Sequence, residues 1–243
     1  MYSAVHDILV DGRELRVYSN GTRRPVLFLH DLGASAAVFE PLTGPIVAGG
    51  HELVAIDLPG CGHSDPLPGS DLSEYVELLA AALITLSPDP IDVVGHGFGG
   101  YLAAAVAARC PASIRRLVLF EPNVPPQSGP PARTKMSASM AVSGAVTTLR
   151  RGRLRQNIHG FSRAKAVLEQ LSHADPEWWL TVTSIGGPVL VLGSSAGEAA
   201  ERAQLDQLAA RIPNALRNTV AGGHRPFQTH PADFAGHVLD FID

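Results

Sequence analysis

Short apolar runs alternate with longer helix-forming stretches along most of the chain. Four runs consist of β-branched or large aliphatic residues, which is typical of strands buried in a parallel sheet; they lie at 26–29, 53–56, 117–120 and 188–192. A fifth run, Ile91–Val94, leads into a glycine-dense turn. The alternation of strand and helix therefore predicts an α/β fold, with a mostly parallel sheet and helices on both faces.

The two ends of the chain extend this pattern. Residues 5–20 predict an antiparallel hairpin, because two alternating apolar segments flank the turn dipeptide Asp11-Gly12. Near the other end, residues 218–220 predict a short strand, and a closing helix should run from Pro231 to Ile242. Further helices are predicted at 36–48, from Asp71 or Ser73 to about residue 86, at 101–109 and at 198–211.

The alternation stops in the middle of the chain. Residues 123–131, NVPPQSGPP, form a proline-rich linker, and residues 132–183 have helical patterns without a clear strand. We therefore predict that residues 1–122 and 187–243 form one core. Residues 123–186 would then be a helical cap inserted between two strands of its sheet.

Composition excludes several classes of function. The 243 residues are 45% hydrophobic and 17% charged, with a net charge of −4, an ordinary globular balance without a nucleic-acid-binding basic tract. No run reaches the roughly 20 apolar residues of a membrane span, and the first residues do not resemble a signal peptide. With Cys61 and Cys110 as the only cysteines, a disulfide framework is not expected and the cytoplasm is the predicted location. We also expect no metal and no cofactor, because neither metal-ligand spacing nor a dinucleotide fingerprint is present.

The most informative stretch is the turn after Ile91–Val94. It reads GHGFGG and precedes an alanine-rich helical run. Strand, glycine-rich turn and helix in this order form the pattern of a nucleophile elbow, G-x-S-x-G. The central residue here is Gly97, so the scaffold of a nucleophilic enzyme is present while the position of its nucleophile is vacant.

Four motifs in order resemble those of the α/β-hydrolase superfamily, in particular its compact bacterial members with a short helical cap. They are LFLHDLG, AIDLPGCGHSD, VVGHGFGG and VAGGHRPFQTHPADFAGHVLDFI, and together they cover nearly the whole chain. The first resembles the loop of the oxyanion hole, in which the histidine is usually followed by glycine. The third resembles the elbow, and the fourth resembles the segment that contains the catalytic histidine.

The resemblance implies roles for several residues. His224 matches the catalytic histidine, and the backbone N–H groups of Leu32 and Phe98 match the donors of the oxyanion hole. The usual acid is absent, because the segment after Val189–Leu192 has no carboxylate before Glu198. Some relatives, including haloalkane dehalogenases, have it at the end of the strand after the elbow helix, where this chain has Glu121. Glu121 is therefore the candidate partner of His224.

Other residues are candidates for contact with a substrate. They are His30, Asp31, His63, His96 and Trp178. For His96 a structural role, and for Trp178 packing of the cap against the core, are the alternatives. Cys61 lies near the expected site but off the elbow, so we do not expect it to replace the nucleophile. The arginine-rich run at 150–155 is typical of a solvated helix face, and docking of an anionic substrate or carrier protein is the alternative.

Three functions remain open. The first is a non-hydrolytic enzyme on a small carbonyl-type substrate, in which His224 and an oxyanion hole catalyse elimination, C–C cleavage, isomerisation or cyclisation. Loss of the nucleophile and of the usual acid, with the histidine retained, favours it. The second is a serine ester or amide hydrolase in which Gly97 replaces the serine of an inactivated variant. The third is a non-catalytic binding protein that keeps only the pocket.

Overall fold

The computed structural model describes residues 1–131 and 154–243, with side chains described from residue 162 onward after the gap. Eight strands form one sheet in the order β1-β2-β4-β3-β5-β6-β7-β8. Their bounds are β1 Ala4–Val10, β2 Arg13–Asn20, β3 Arg24–Leu29, β4 His51–Ile56, β5 Ile91–His96, β6 Ile114–Phe120, β7 Val189–Ser194 and β8 Ala215–Val220.

The sheet is mostly parallel, as the sequence predicts. β1 and β2 form the expected antiparallel hairpin, with Asp11 and Gly12 at φ 47° and 74° in its turn. β2 then pairs antiparallel with β4. Across the rest of the sheet, in the order β4-β3-β5-β6-β7-β8, every pair of neighbouring strands is parallel. The parallel strands end on the same side of the sheet, so the loops after β3, β5, β6 and β8 meet at one edge.

Helices cover both faces. A 3-10 helix spans Ala36–Leu42, and the α-helices are α1 Thr43–Ala48, α2 Leu72–Leu86, α3 Phe98–Arg109, α4 Leu154–Ser172, α5 Pro176–Val182, α6 Ala199–Arg211, α7 Pro226–Thr229 and α8 Pro231–Ile242. Within residues 1–131 and 154–243, none of these helices combines the length and the apolar character that spanning a membrane requires.

Two boundaries differ from the prediction. The helix expected at 36–48 is split after Leu42 into a 3-10 helix, which contains Pro41, and α1. The last strand begins at Ala215 instead of residue 218. β8 is an edge strand with much of its length exposed, so polar residues such as Arg217 belong to it without forming an apolar run.

The sheet separates two apolar layers. On one face, Leu27, Val93 and Leu119 pack towards α2 and α3. On the other, the largest fully buried side chains are aromatic, namely Phe28, Phe39, Phe120, Phe227 and Phe234. These two apolar layers hold the strand ends and the elbow in position, and the site depends on that positioning.

The predicted cap lies in the chain between two strands that are neighbours in the sheet. β6 and β7 pair in parallel, with Leu117 opposite Val189, and α4 and α5 lie in the chain between them. The linker before α4 is attached to the core, because Gln204 Nε2 donates to the carbonyl of Val124 at 2.8 Å. The division into a core and a cap at 123–186 stays a prediction.

Candidate active site

The elbow keeps its backbone conformation without a nucleophile. Gly97 links β5 to α3 at φ 55° and ψ −117°, a region that side-chain-bearing residues adopt only under strain. At Gly99 the approach of strand and helix excludes any side chain, since an added Cβ would lie 2.4 Å from the carbonyl oxygen of Leu29. The sequence thus forms the expected tight strand–turn–helix unit around an empty centre.

The space of the missing side chain is filled by Asp31. A Cβ added at Gly97 would lie only 2.1 Å from Asp31 Oδ1 and 2.3 Å from its Cγ. Both atoms are closer than atoms without a bond between them can be. Asp31 comes from the loop after β3, where it follows His30 at the position that relatives usually give to glycine. A carboxylate from a second loop therefore stands where the elbow side chain would begin.

The predicted oxyanion-hole donors converge on this carboxylate. The backbone N–H groups of Leu32 and Phe98 both donate to Asp31 Oδ1 at 2.8 Å. Their convergence on one oxygen follows the geometry that the resemblance implies. The oxygen belongs to the protein itself, however, so the hole is occupied by Asp31 instead of standing open for a substrate.

Glu121 lies beside His224, as predicted for a histidine–acid pair. Glu121 Oε2 is 2.6 Å from His224 Nδ1, a hydrogen-bonding distance. The other carboxylate oxygen accepts from the backbone N–H of Ser194 at 3.1 Å. Glu121 has φ +41°, which is uncommon for a residue with a side chain. The backbone turn at the end of β6 and two hydrogen bonds therefore aim this carboxylate at the imidazole.

His224 lies between two carboxylates. Its Nε2 is 3.7 Å from Asp31 Oδ2, too far for a hydrogen bond but close enough for attraction between charges. Asp31 and Glu121 together raise the pKa of His224 to about 9. The imidazole side chain is 43% exposed, so at neutral pH it is an imidazolium that a molecule in solution can reach.

The two carboxylates stay ionised. Burial by itself would raise the pKa of Asp31, but His224 and the hydrogen bond from Phe98 outweigh it and lower the value to about 2. Burial acts on Glu121 in the same way, and its hydrogen bond to His224 again produces a net lowering of the pKa. The site at neutral pH is therefore an imidazolium between two carboxylates, with an overall negative charge.

His96 lies behind this pair. Its ring is 2% exposed, stacks on Phe120 and lies 4.6 Å from the ring of His224, centroid to centroid. Burial lowers the pKa of His96 to about 3, so it is neutral. Its Nε2 is buried and has no hydrogen-bond partner in the part of the chain that the structure describes. The ring supports His224 from one side, and the substrate contact predicted for it stays a prediction.

Asp31, His96 and His224 form a group whose potential metal-ligating atoms lie within 4.8 Å of one another. Two imidazoles and a carboxylate are a ligand set found at transition-metal sites. At neutral pH, however, Nε2 of His224 carries the proton that its two carboxylate neighbours stabilise, so a metal ion would have to displace that proton. We therefore describe the group as an acid–base centre.

The structure gives His30 a role in holding the loop. It is fully buried, its Nδ1 donates to the carbonyl of Asp31 at 2.7 Å, and its Nε2 accepts from the N–H of Leu58 at 2.9 Å. Burial keeps the pKa of His30 low, which agrees with one donating and one accepting nitrogen. Because both nitrogens are engaged, this geometry favours positioning of Asp31 over the substrate contact predicted for His30.

His63 and Cys61 lie in the loop after β4. Tyr18 Oη is 3.0 Å from His63 Nδ1, and the buried Asp57 accepts from the backbone N–H of His63 at 2.8 Å. Burial raises the pKa of Cys61 to about 12, so this thiol is not ionised at neutral pH and is a poor nucleophile. This agrees with the expectation that Cys61 does not replace the missing nucleophile.

Trp178 packs inside the protein. It is 3% exposed and stacks on Tyr101 at 5.5 Å between ring centroids. Both rings border a groove of about 590 Å³ beside α2, α3 and α5, and neither Asp31 nor His224 lines this groove. The packing role weighed for Trp178 is what the structure supports, and its predicted substrate contact stays a prediction.

Asp31 has a main role that its sequence motif does not reveal. Asp31 was a candidate for substrate binding, whereas the structure places its carboxylate inside the elbow. A signal existed in the sequence. The loop motif has aspartate in place of its usual glycine, and the elbow of the same chain has glycine in place of its usual serine. The two exchanges are complementary in volume, but the motifs alone do not reveal that their side chains meet.

The eight-stranded sheet, the elbow and the His224–Glu121 pair define an α/β-hydrolase core. A family model described as the alpha/beta hydrolase family matches residues 26–237, so the chain belongs to that family.

Among curated relatives, a pimeloyl-[acyl-carrier protein] methyl ester esterase from Shewanella woodyi is 32% identical over 126 residues, 46% of each chain. Another protein of that description, from Aromatoleum aromaticum, is 28% identical over 90% of this chain and 98% of its own. The chain spans less than half the length of several relatives that it matches. An enol-lactonase structure from Burkholderia xenovorans superposes with a TM-score of 0.72 at 19% identity, covering 98% and 99% of the two chains. Several relatives of this chain by sequence are therefore described as esterases or hydrolases.

Proposed function

We propose that the protein is an enzyme that acts on a small organic substrate with a polarised oxygen, by proton transfer at His224 and without a seryl intermediate. The observation that carries this proposal is the hydrogen bond of 2.6 Å between His224 Nδ1 and Glu121 Oε2. It orients the imidazole in the manner of a catalytic base or acid, in a site whose elbow residue, Gly97, offers no side chain.

The protonation of the site decides which way the first proton moves. Because Asp31 and Glu121 raise the pKa of His224 to about 9, the resting imidazole already holds a proton and acts first as a general acid. The N–H groups of Leu32 and Phe98 are bonded to Asp31. The substrate oxygen would therefore take its proton from His224 Nε2, unless it displaces the carboxylate.

Several reactions of carbonyl compounds fit such a site. Elimination, C–C cleavage, isomerisation and cyclisation all need a positioned proton carrier and no nucleophile from the enzyme. After donating its proton, His224 is neutral and can remove a proton from carbon next to the carbonyl. We propose this non-hydrolytic acid–base chemistry, with a small molecule as substrate and no cofactor, as the main function.

The position of Asp31 bears on the two alternatives. In an inactivated serine hydrolase, restoring serine at position 97 would bring its Cβ to 2.1 Å from Asp31 Oδ1, which argues against that alternative. A binding protein is compatible with an occupied oxyanion hole, and it is the outcome if no turnover is found. A carrier-protein partner was suggested by the arginine run at 150–155, whose side chains lie outside the described residues.

The proposal is tested by proton exchange and bond cleavage on simple carbonyl probes. We would follow deuterium uptake at the α-carbon of aryl ketones in D₂O, and retro-aldol cleavage of β-hydroxyketones, by NMR. His224→Gln should lower either rate by about 10²–10⁴-fold, and Glu121→Gln should lower it less. His230→Gln is the matched control, because this exposed histidine lies six residues away and outside the site. Equal rates in wild type and His224→Gln would refute the proposal.

A further inference from the structure

The side chains of Asp31, His96 and His224 converge on one small volume beside the elbow. Their potential ligating atoms all lie within 4.8 Å of one another, and His224 Nε2 is 3.7 Å from Asp31 Oδ2. In a tetrahedral site with metal–ligand bonds of about 2.0–2.1 Å, neighbouring ligand atoms lie about 3.3 Å apart. The three side chains therefore need only small inward shifts to surround a metal ion.

The buried imidazole of His96 is available as a ligand. Its ring is 2% exposed, and its Nε2 has no hydrogen-bond partner among the described residues. A buried polar atom without a partner costs free energy. Because burial keeps His96 neutral, one of its ring nitrogens has a free lone pair, which is the form that binds metals. Ligation would turn an unsatisfied imidazole into a bonded one.

We propose that Asp31, His96 and His224 form a binding site for a divalent transition-metal ion such as Zn²⁺. Two imidazole nitrogens and one carboxylate oxygen suit such ions, whereas Mg²⁺ and Ca²⁺ prefer oxygen ligands alone. The ion is not a cofactor of the proposed proton transfer. It competes with that reaction, because it binds the same Nε2 of His224 that would carry the proton.

The groups around these ligands have the arrangement of an outer coordination shell. Glu121 Oε2 is 2.6 Å from His224 Nδ1, which leaves Nε2 for the metal and matches the carboxylate–histidine pairs that orient metal ligands. The N–H groups of Leu32 and Phe98 both donate to Asp31 Oδ1 at 2.8 Å, so Oδ2 is the oxygen left to ligate. The protein thus holds both side chains in orientations that a metal ion can use.

Charge and access also suit a dication. The carboxylates of Asp31 and Glu121 lie on the two sides of the His224 imidazole, and together they would balance the two positive charges of Zn²⁺. The Asp31 side chain is only 9% exposed, so solvent screens its attraction for a cation weakly. His224 is the exposed member of the group, which gives the ion a route from solution.

No spacing in the sequence reveals this site. Asp31 follows β3, His96 ends β5 and His224 follows β8, so the three ligands meet only at the edge of the assembled sheet. The expectation of no metal rested on ligand spacing along the chain, which does not record such a meeting.

The proposal is tested by titrating the full-length protein with Zn²⁺ in a calorimeter, and with Co²⁺ followed by visible absorption. We expect one Zn²⁺ per chain and the strong Co²⁺ bands of a four-coordinate site. His96→Phe and His224→Gln each remove a ligand and should weaken Zn²⁺ binding by more than about 100-fold, and Glu121→Gln should weaken it by about 10–100-fold. His230→Gln, at an exposed histidine outside the site, is the matched control and should bind as the wild type does.

The position of the ion in the wild type tests the proposal even if a variant fails to fold. Crystals grown with Zn²⁺ should show an anomalous peak at about 2.0–2.2 Å from Asp31, His96 and His224. No peak at these side chains, no Zn²⁺ binding, or equal affinity in the wild type and folded His96→Phe would overturn the metal site.

The metal site and the proposed function can fail separately. Zn²⁺ binding is measured without a substrate, so it stands or falls whether or not the carbonyl probes are turned over. With the site loaded, turnover of these probes should be lost. Turnover that persists with Zn²⁺ bound at His224 would leave the metal site standing and contradict proton transfer at His224.

Discussion

The side chains at positions 31 and 97 compete for one small volume. Asp31 fits because Gly97 has no Cβ, and the carboxylate then satisfies the N–H groups that an elbow nucleophile would leave open to substrate. Neither residue explains the site without the other. Their effects on stability should therefore not be additive.

Gly97→Ser should destabilise the protein by about 1–3 kcal/mol, since its Cβ would force Asp31 out of a packed position. The double change Asp31→Gly with Gly97→Ser removes this clash. We expect a favourable coupling energy of about 0.5–3 kcal/mol between the two positions. Urea unfolding of the wild type, both single variants and the double variant measures it. Additive effects would mean that Asp31 moves away without cost.

The same variants make a prediction about covalent labelling. The wild type should not react with a fluorophosphonate probe at position 97, and Gly97→Ser should react poorly as long as Asp31 occupies the oxyanion hole. With Asp31→Gly added, the serine would have His224, Glu121 and free N–H donors, and labelling should appear. Intact-protein mass spectrometry followed by peptide mapping would detect it. Stoichiometric labelling of the wild type at another serine would contradict this account.

The charges around His224 predict how stability depends on pH. The pKa of His224 is raised from about 6.5 to about 9 in the folded state, so its contribution to stability is complete below about pH 6.5. It is then lost as pH rises through about 9. The pKa of Asp31 is lowered to about 2, so its contribution is lost as pH falls through that value. Relative to His224→Gln, the wild type should lose stability between pH 7 and 10 in urea unfolding. An unchanged difference between the two over this range would contradict the raised pKa.

Among the elements, α2 begins with a side-chain N-cap that the sequence predicts. Asp71 is its N-cap, and its carboxylate accepts from the backbone N–H of Ser73 at 2.9 Å. This satisfies one of the donors left free at the start of a helix. The preference is local, so it could be identified without knowledge of the rest of the fold.

Asp71→Ala should lower the free energy of unfolding by about 0.5–2 kcal/mol through loss of this cap. Asp71→Asn keeps a side-chain acceptor and should cost less. Thermal unfolding of the three proteins, followed by circular dichroism, should show Tm falling in the order wild type, Asp71→Asn, Asp71→Ala. The rates with the carbonyl probes should not change, because Asp71 lies outside the site. Equal Tm values for the wild type and Asp71→Ala would show that water replaces the cap.

Over the whole molecule, an ion pair joins the central strands to the end of the chain. Arg115 in β6 donates from Nε to the buried carboxylate of Asp92 in β5 at 2.8 Å. Its guanidinium also donates to the carbonyl of Ile242 at 2.8 Å. The residues are far apart in sequence, and their pairing depends on the assembled sheet and on the docking of α8.

Arg115→Leu should destabilise the protein by about 3–5 kcal/mol, because it leaves the carboxylate of Asp92 buried without its cation. Arg116→Leu is the matched control, since Arg116 also contacts the carbonyl of Ile242 but pairs with no buried acid among residues 1–131 and 162–243. Replacing Asp92 and Arg115 together by leucine should recover much of the loss. Chemical denaturation measures all three, and equal effects of Arg115→Leu and Arg116→Leu would contradict the argument.

The sequence by itself determined the order and type of most elements, and the family. Apolar runs, the turn at Asp11-Gly12 and the glycines around position 97 act through contacts within a few residues, and their patterns are periodic. The pairing of Glu121 with His224 could also be predicted, from the resemblance to relatives that have the acid at the end of the strand after the elbow helix. The final strand predicted from the sequence was three residues shorter than β8, because an exposed edge strand does not need an apolar run.

Only the tertiary structure decided what fills the vacant elbow. Asp31 and Gly97 are 66 positions apart, and no local pattern records that a side chain from one loop enters the space left by another. The raised pKa of His224 likewise depends on two carboxylates that arrive from the ends of β3 and β6. The net charge around His224 and the volume filled at Gly97 both depend on residues that meet only when the sheet has formed. The physical reason is that packing and electrostatics depend on distances in space, which the sequence does not contain.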